Sequence, residues 1–341
     1  MEYNNIVKKY ILFASLFVVL FSACSTKESY KPKQLDEDWP KYESMDGTII
    51  DKSINIALLD NSKILTKDKI LDLKIQESHR VISYSEGWVI IASVEGELLL
   101  ISAEDTNTTK SFELKKTIAS ASVNGDTLAV LFADNEIALY SVSTSKILFK
   151  EPGGKSLAVD ARIVNPYFMN DLVLFSSLDG KVIVVNIDLK KKLRTVIVSS
   201  EDNFNNIIYF NLIDNKIIAA TTYKILSLAA KDLRAEYEIR DIVGDDKNMF
   251  ITTKQGEVIS LTSDLQENTK IKFPFAHFLG MISHEDKLYI LEKGGYIIVL
   301  DKDMKKYTVH EVDIEDGFIF IADKVFYVAD EKISVELCLA S

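Results

Sequence analysis

The sequence predicts an all-β protein, a β-propeller of eight four-stranded blades, on three observations. From Asp46 onward, short runs rich in Val, Ile, Leu, Phe and Tyr alternate with Asn, Asp, Gly, Lys and Ser, and no stretch holds a helical period. One hairpin pattern recurs, with successive spacings of roughly 33 to 45 residues, the interval of one propeller blade. The C-terminal unit stops at three strands. A fourth, expected from Gly47 to Lys52, would close the ring and remove the exposed sheet edges that an open array would leave. The first 80 residues carry indistinct boundaries, so seven blades stay open.

The first twenty-four residues read as an export signal. Lys8 and Lys9 supply a positive start, Ile11 to Phe21 form an apolar run, and Phe21-Ser22-Ala23 precede Cys24. The run has eleven residues, well short of the roughly 20 that a membrane-spanning helix needs. The arrangement resembles the lipobox of bacterial lipoproteins, with Phe21 where that family usually has Leu. The resemblance implies removal of residues 1–23 and lipidation of Cys24. Multiple acyl chains make such an anchor stable. Ser25 in place of an inner-membrane retention Asp implies the periplasmic face of the outer membrane. Residues 24–44, rich in Lys, Glu, Asp, Pro and Tyr, read as a flexible tether ending near Trp39 and Pro40, and residues 45–341 as the propeller.

Within the propeller, tight turns fall at Glu95-Gly96, Asp134-Asn135, Asp179-Gly180, Gln255-Gly256 and Gly294-Gly295, where Gly or Asn supplies the positive φ of a hairpin. Weaker copies sit at Asp60-Asn61-Ser62, Thr222-Tyr223-Lys224 and Asp330-Glu331-Lys332, making eight hairpins in all.

Composition narrows the function. A formal net charge of -11 offers no basic stripe to displace phosphate counterions, which argues against nucleic acid as a partner. The only cysteines are Cys24 and Cys338. With the first consumed by lipid no intramolecular disulfide forms, and Cys338, in the apolar run from Ile333 to Ala340, reads as a core thiol. His79, His277, His284 and His310 lack metal-ligand spacing. Thirteen glycines leave little scope for phosphate loops, and no nucleophile elbow or His-Glu-x-x-His appears. Glu104-Asp105, Glu201-Asp202 and Asp245-Asp246 read as solvated turn residues. The basic clusters Lys190-Lys191-Lys192-Leu193-Arg194 and Lys305-Lys306 read as solvated strand edges. No catalytic residue, metal or cofactor is expected.

Residues Asn165 to Asn186, which run through Asp179-Gly180-Lys181, resemble a blade of the quinoprotein-type propellers. The likeness extends to Ser145 to Phe149, Lys110 to Phe112 and Lys306-Tyr307, where Phe or Tyr stands in for that family's Trp. With Trp39 and Trp88 the only tryptophans, the aromatic floor of a quinone site looks absent. Within that group the chain is similar to the BamB-like lipoproteins of the machinery that inserts β-barrels into outer membranes. This resemblance implies a non-enzymatic scaffold that binds envelope proteins, above all the periplasmic domains of the barrel-inserting protein, through two neighbouring loops. In the first loop Leu157 and Val159 keep the apolar pair, Asp160 occupies the basic position and Arg162 lies two residues on. In the second, Glu201 and Asp202 supply acidic groups. The alternation of Leu157 and Val159 with Ala158 equally allows both to point into a strand. Two other functions stay open: a periplasmic enzyme or small-ligand propeller using its central channel, and a surface-exposed adhesin-like lipoprotein.

Overall fold

The computed structural model describes residues 28–156 and 158–336. The signal segment, Cys24, Leu157 and Cys338 lie outside the described residues. Eight antiparallel sheets of four strands each make up the structure, and no helix occurs among the described residues. Blades 1 to 7 take residues 49–72, 79–113, 118–151, 167–197, 209–236, 239–272 and 278–311, with strands in chain order from the innermost outward. Blade 8 takes Ile319–Ala322, Val325–Val328 and Glu331–Ser334, and its outer strand is Tyr42–Ser44.

The closing strand is therefore earlier in the chain than expected. Tyr42, Glu43 and Ser44 pair with Ile333, Lys332 and Glu331, whereas Ile49–Lys52 opens blade 1 as its innermost strand. Burial decides between them. Ile49 is enclosed between blades 1 and 8 beside Phe320 and Leu59, a place only an inner strand reaches, while Glu43 and Ser44 stay exposed as an outer strand allows.

Successive blades stack face to face, and the apolar core is divided among the gaps between them. Eight clusters of buried side chains correspond to the eight junctions, from Ile56, Ile64, Val81 and Val89 between blades 1 and 2 to Ile49, Leu65 and Phe320 between blades 8 and 1. Removing these side chains from water is the main favourable term, and it is met only when every blade has two neighbours. Bulges bend the inner strands of blades 1, 2, 3, 6 and 7. Polar side chains then bridge successive inner strands. Val81 N donates to Asp51 Oδ2 at 2.9 Å, Met281 N to Asp241 Oδ2 at 2.8 Å, and Ser83 Oγ to the Ala121 carbonyl at 2.6 Å.

All eight predicted hairpins join the second and third strands of a blade. Gly96, Asn135, Gly180, Gly256 and Gly295 hold the expected positive φ. These turns share one face with the connections that lead from each blade to the next, because the two are hydrogen-bonded together: Leu114 N to Gly96 O, Val198 N to Gly180 O, Phe273 N to Gly256 O and Val312 N to Gly295 O, all at 2.8–3.0 Å. We call it the turn face.

The described part of the expected tether is docked rather than free. Residues 36–39 run parallel to the outer strand of blade 7, with Asp36 N bonded to Val309 O and Trp39 N to Glu311 O, both at 2.9 Å. Tyr30 and Trp39, 7% and 6% exposed, fill the grooves between blades 6 and 7 and between blades 7 and 8. Burial of two large aromatics favours the docked strap, and the free edge of blade 7 supplies backbone partners.

Candidate functional site

Two connections on the turn face are much longer than the rest: residues 152–166 enter blade 4 and residues 198–208 leave it. Local turn chemistry positions both. Asn135, at the blade 3 hairpin, accepts from Leu178 N through Oδ1 at 2.8 Å and donates through Nδ2 to Gly154 O at 3.1 Å. Gly153 passes so close that a Cβ there would sit 1.8 Å from the Asn135 carbonyl oxygen, so only glycine fits. Ser156 Oγ donates to Leu178 O at 3.0 Å. In the second connection Asn205 Nδ2 donates to Asp179 O and Ser199 O, both at 3.1 Å.

The two connections are then fastened to each other by one buried amide. Asn206 Oδ1 accepts from Asp160 N at 2.7 Å, and its Nδ2 donates to Asp160 O at 3.1 Å and Arg162 O at 3.0 Å. Phe204 N also donates to Ala158 O at 2.9 Å, and Thr222 Oγ1 to Phe204 O at 3.0 Å. A fully buried side chain with three backbone bonds makes these loops a fixed platform. Upon it Val159 and Phe204 stand 38% and 47% exposed. Phe204 holds φ 52, a left-handed conformation that costs a bulky residue energy.

The structure brings the sequence-predicted loops together but divides their residues. Val159 lies on the surface in a loop, not turned into a strand. Glu201 and Asp202 are exposed, and Glu201 is bound at 3.1 Å by Lys224, which also reaches Glu236 at 3.6 Å. Arg162, expected to flank the apolar pair, is partly buried and paired. Its Nε and Nη2 bind the Asp160 carboxylate at 2.9 and 2.7 Å, and Nη1 donates to the Arg240 carbonyl of blade 6. A guanidinium two residues from a carboxylate closes a fork on it, and here the fork points inward, beside Lys52 and Asp241.

Among these inner charges, burial pushes the Asp241 carboxyl up to about 6 even though Arg162, two backbone N–H groups and Lys52 pull it down. For Asp160 burial acts in the same upward sense, but the Arg162 guanidinium overrides it and holds the carboxyl below the usual range. Burial, then the neighbouring Arg162 charge, lowers the Lys52 ammonium. Two cations and two carboxylates thus compensate one another. Among the described residues no three His, Cys, Asp or Glu side chains converge as metal ligands.

A propeller with one elaborated sector now has known counterparts. The fold is shared with BamB from Moraxella catarrhalis, 12% identical over 85% of this chain and 97% of that one, with a TM-score of 0.65. It is shared as well with the computationally designed Ika8 protein, 14% identical over 88% and 100%, at a TM-score of 0.62. In sequence the chain is similar to plasminogen-binding protein PgbB of Helicobacter pylori, 27% identical over 94% of this chain and 69% of that protein. No family model matches the chain, so the quinoprotein-type repeat stays a resemblance.

Sequence reasoning missed Phe204 and Asn206. The signal for the first was a lone phenylalanine among Glu201, Asp202, Asn203 and Asn205, where a polar loop has no packing reason for it. Asn206 gave no comparable signal, because its partners lie 44 and 46 residues away.

Proposed function

We propose that this protein is a lipid-anchored, non-enzymatic docking propeller at the periplasmic face of the outer membrane, serving the assembly of β-barrel proteins. Its partner surface is the pair of connections flanking blade 4. The observation that carries this reading is the fixed platform on Asn206, which displays Val159 and Phe204 with Glu201 and Asp202 beside them. Small apolar clusters with charged rims carry most of the energy of protein interfaces. The fold of BamB supports the choice of process. The mutual compensation of Lys52, Arg162, Asp160 and Asp241 leaves that buried cluster without an unpaired charge to hold a charged ligand.

The name of the Helicobacter pylori relative favours a second reading, capture of plasminogen at the cell surface. One experiment separates them. The native lipoprotein and its Val159→Asp/Phe204→Asp variant are used as baits for solubilised envelopes and for purified plasminogen, with protease shaving of intact cells in parallel. On the first reading barrel-assembly components co-purify with the wild type and not with the variant, the melting curves coincide, and intact cells protect the propeller. Reproducible absence of those components rejects it, and plasminogen retention with surface cleavage establishes the second.

A further inference from the structure

The docked strap has a consequence for orientation. With Tyr30 buried against Phe273 and Tyr296, Cys24 is six residue steps from the first fixed point of the propeller. At 3.3–3.6 Å per residue that leash reaches about 20 Å at most, far less than a free tether of the whole segment would allow. Whatever lies near Tyr30 is therefore held close to the point where the chain is anchored.

What lies there is an amphipathic rim. Phe275, in the connection between blades 6 and 7, is 60% exposed at φ 64, with the ring of exposed Tyr307 in the adjoining concavity. Lys31, Lys33 and Lys272 line that concavity, and Arg240 and Lys254 line a second one on the other side of Phe275. None of these five cations forms an ion pair with another described side chain, although the Lys254 ammonium lies over the Tyr223 ring at 5.2 Å. Carboxylates accompany them: Glu28 in the first concavity, Glu238, which accepts from Gln255, beside the second, Glu257 directly across the sheet from Lys272, and Glu292, which accepts from His277 N. Five cations around an exposed aromatic stand out in a chain whose formal charge is -11.

We propose that this blade 6–7 rim rests on an anionic phospholipid surface, with Phe275 as the apolar wedge and Lys31, Lys33 and Lys272 facing headgroup phosphates. The proposal rests on the reading that Cys24 carries the lipid anchor. An acidic body is repelled by an anionic surface everywhere except at a basic patch, so the short leash and the patch together select one edge. Aromatic side chains favour the level of the headgroups, which suits Phe275 and Tyr307. The platform beside blade 4 lies two and three junctions further round the ring, and an edge-on disc leaves it free for a partner.

The test reconstitutes the acylated lipoprotein into phosphatidylcholine vesicles containing phosphatidylglycerol, with acyl chains brominated to quench nearby indoles. Phe275→Trp and Tyr307→Trp place probes on the rim, and Leu189→Trp places a control on the opposite face of blade 4, where Ile187 N bonds to Asp171 O. Quenching at Phe275→Trp and Tyr307→Trp is expected to exceed that of the control several-fold, and to fall toward it in high salt or when Lys31, Lys33 and Lys272 are changed to Glu. Quenching at both rim positions no greater than at Leu189→Trp overturns the docking. The mass of the N-terminal peptide keeps the two readings apart. An acylated peptide without rim quenching leaves the anchor standing and rejects the rim, and an unmodified peptide rejects the anchor and this proposal with it.

Discussion

At the seam between blades 7 and 8 the chain brings a large aromatic in from outside the blades, while at the two junctions beside blade 4 it carries apolar groups out. Trp39 is buried at the seam, edge-on to Tyr289 at 6.1 Å and His310 at 5.3 Å, and its Nε1 donates to Ser334 O at 2.9 Å. Backbone bonds from Asp36 and Trp39 to blade 7, and from Ser334 N to Lys41 O, tie the same segment down. Beside blade 4 the backbone is equally well satisfied, through Asn135, Asn205 and Asn206, yet Val159 and Phe204 face solvent. Both regions are ordered by hydrogen bonds. They differ in where the side chains go, and that difference separates a contact that closes the fold from one that waits for a partner.

The comparison is broken most severely by Trp39→Ala. A buried indole lost from a groove costs about 3–5 kcal/mol, through transfer and the cavity left behind. Here the loss also frees the strap and the strand Tyr42–Ser44 that completes blade 8. Thermal and urea unfolding of the variant should show a destabilisation of that order, together with faster amide exchange at Tyr42 to Ser44. A shift below about 1 kcal/mol would mean that the ring closes without the strap.

Much of this contrast is legible in the sequence, and the rest is not, for physical reasons. The hairpins are legible because positive φ is a local demand, and Gly96, Gly180, Gly256, Gly295 and Asn135 meet it within the turn itself. Val159 is legible only as one of two possibilities, since alternation with Ala158 fits a loop and a strand alike. The strand Tyr42–Ser44 is illegible. It has three residues and no apolar run, and it is a strand only because Ile333, Lys332 and Glu331 offer an edge. The inward turn of Arg162 is illegible, because of its partners only Asp160 is local. The Arg240 carbonyl that turns it inward is 78 residues away and arrives only when the ring closes.

A middle-sized effect sharpens the view of the charges beneath the blade 4 platform. Asp241 binds its proton more tightly in the folded protein, up to about 6, than an ordinary carboxyl near 3.8. Between those values the folded state holds more protons than the unfolded one, so this group's contribution lowers stability as pH rises from about 4 to about 6 and stays unfavourable above. The difference corresponds to on the order of 2–3 kcal/mol. Asp241→Asn keeps an acceptor for Met281 N and removes the titration. The stability of the variant relative to wild type should therefore improve across that window and level off by neutral pH, measured by urea unfolding at successive pH values. A difference that does not change with pH would show that Asp241 is not the group responsible.

The smallest effect on stability is expected where the effect on function is largest. Phe204 is exposed, packs little and holds φ 52, so Phe204→Gly removes no core contact and relieves a conformation that glycine adopts freely. Relief of the left-handed strain and the greater freedom of an unfolded glycine act in opposite directions, and each is about 1 kcal/mol. The melting temperature should move by no more than a few degrees, while capture of the envelope partner by the native lipoprotein should fall at least tenfold, the loss of about 1.4 kcal/mol that removal of an interface anchor exceeds. A strongly lowered melting temperature would make Phe204 another Trp39, a side chain that holds the ring together, and the two regions would no longer differ in kind. Unchanged capture with unchanged melting would leave the aromatic without a role in the platform and move the contact to Val159 and the acidic residues beside it.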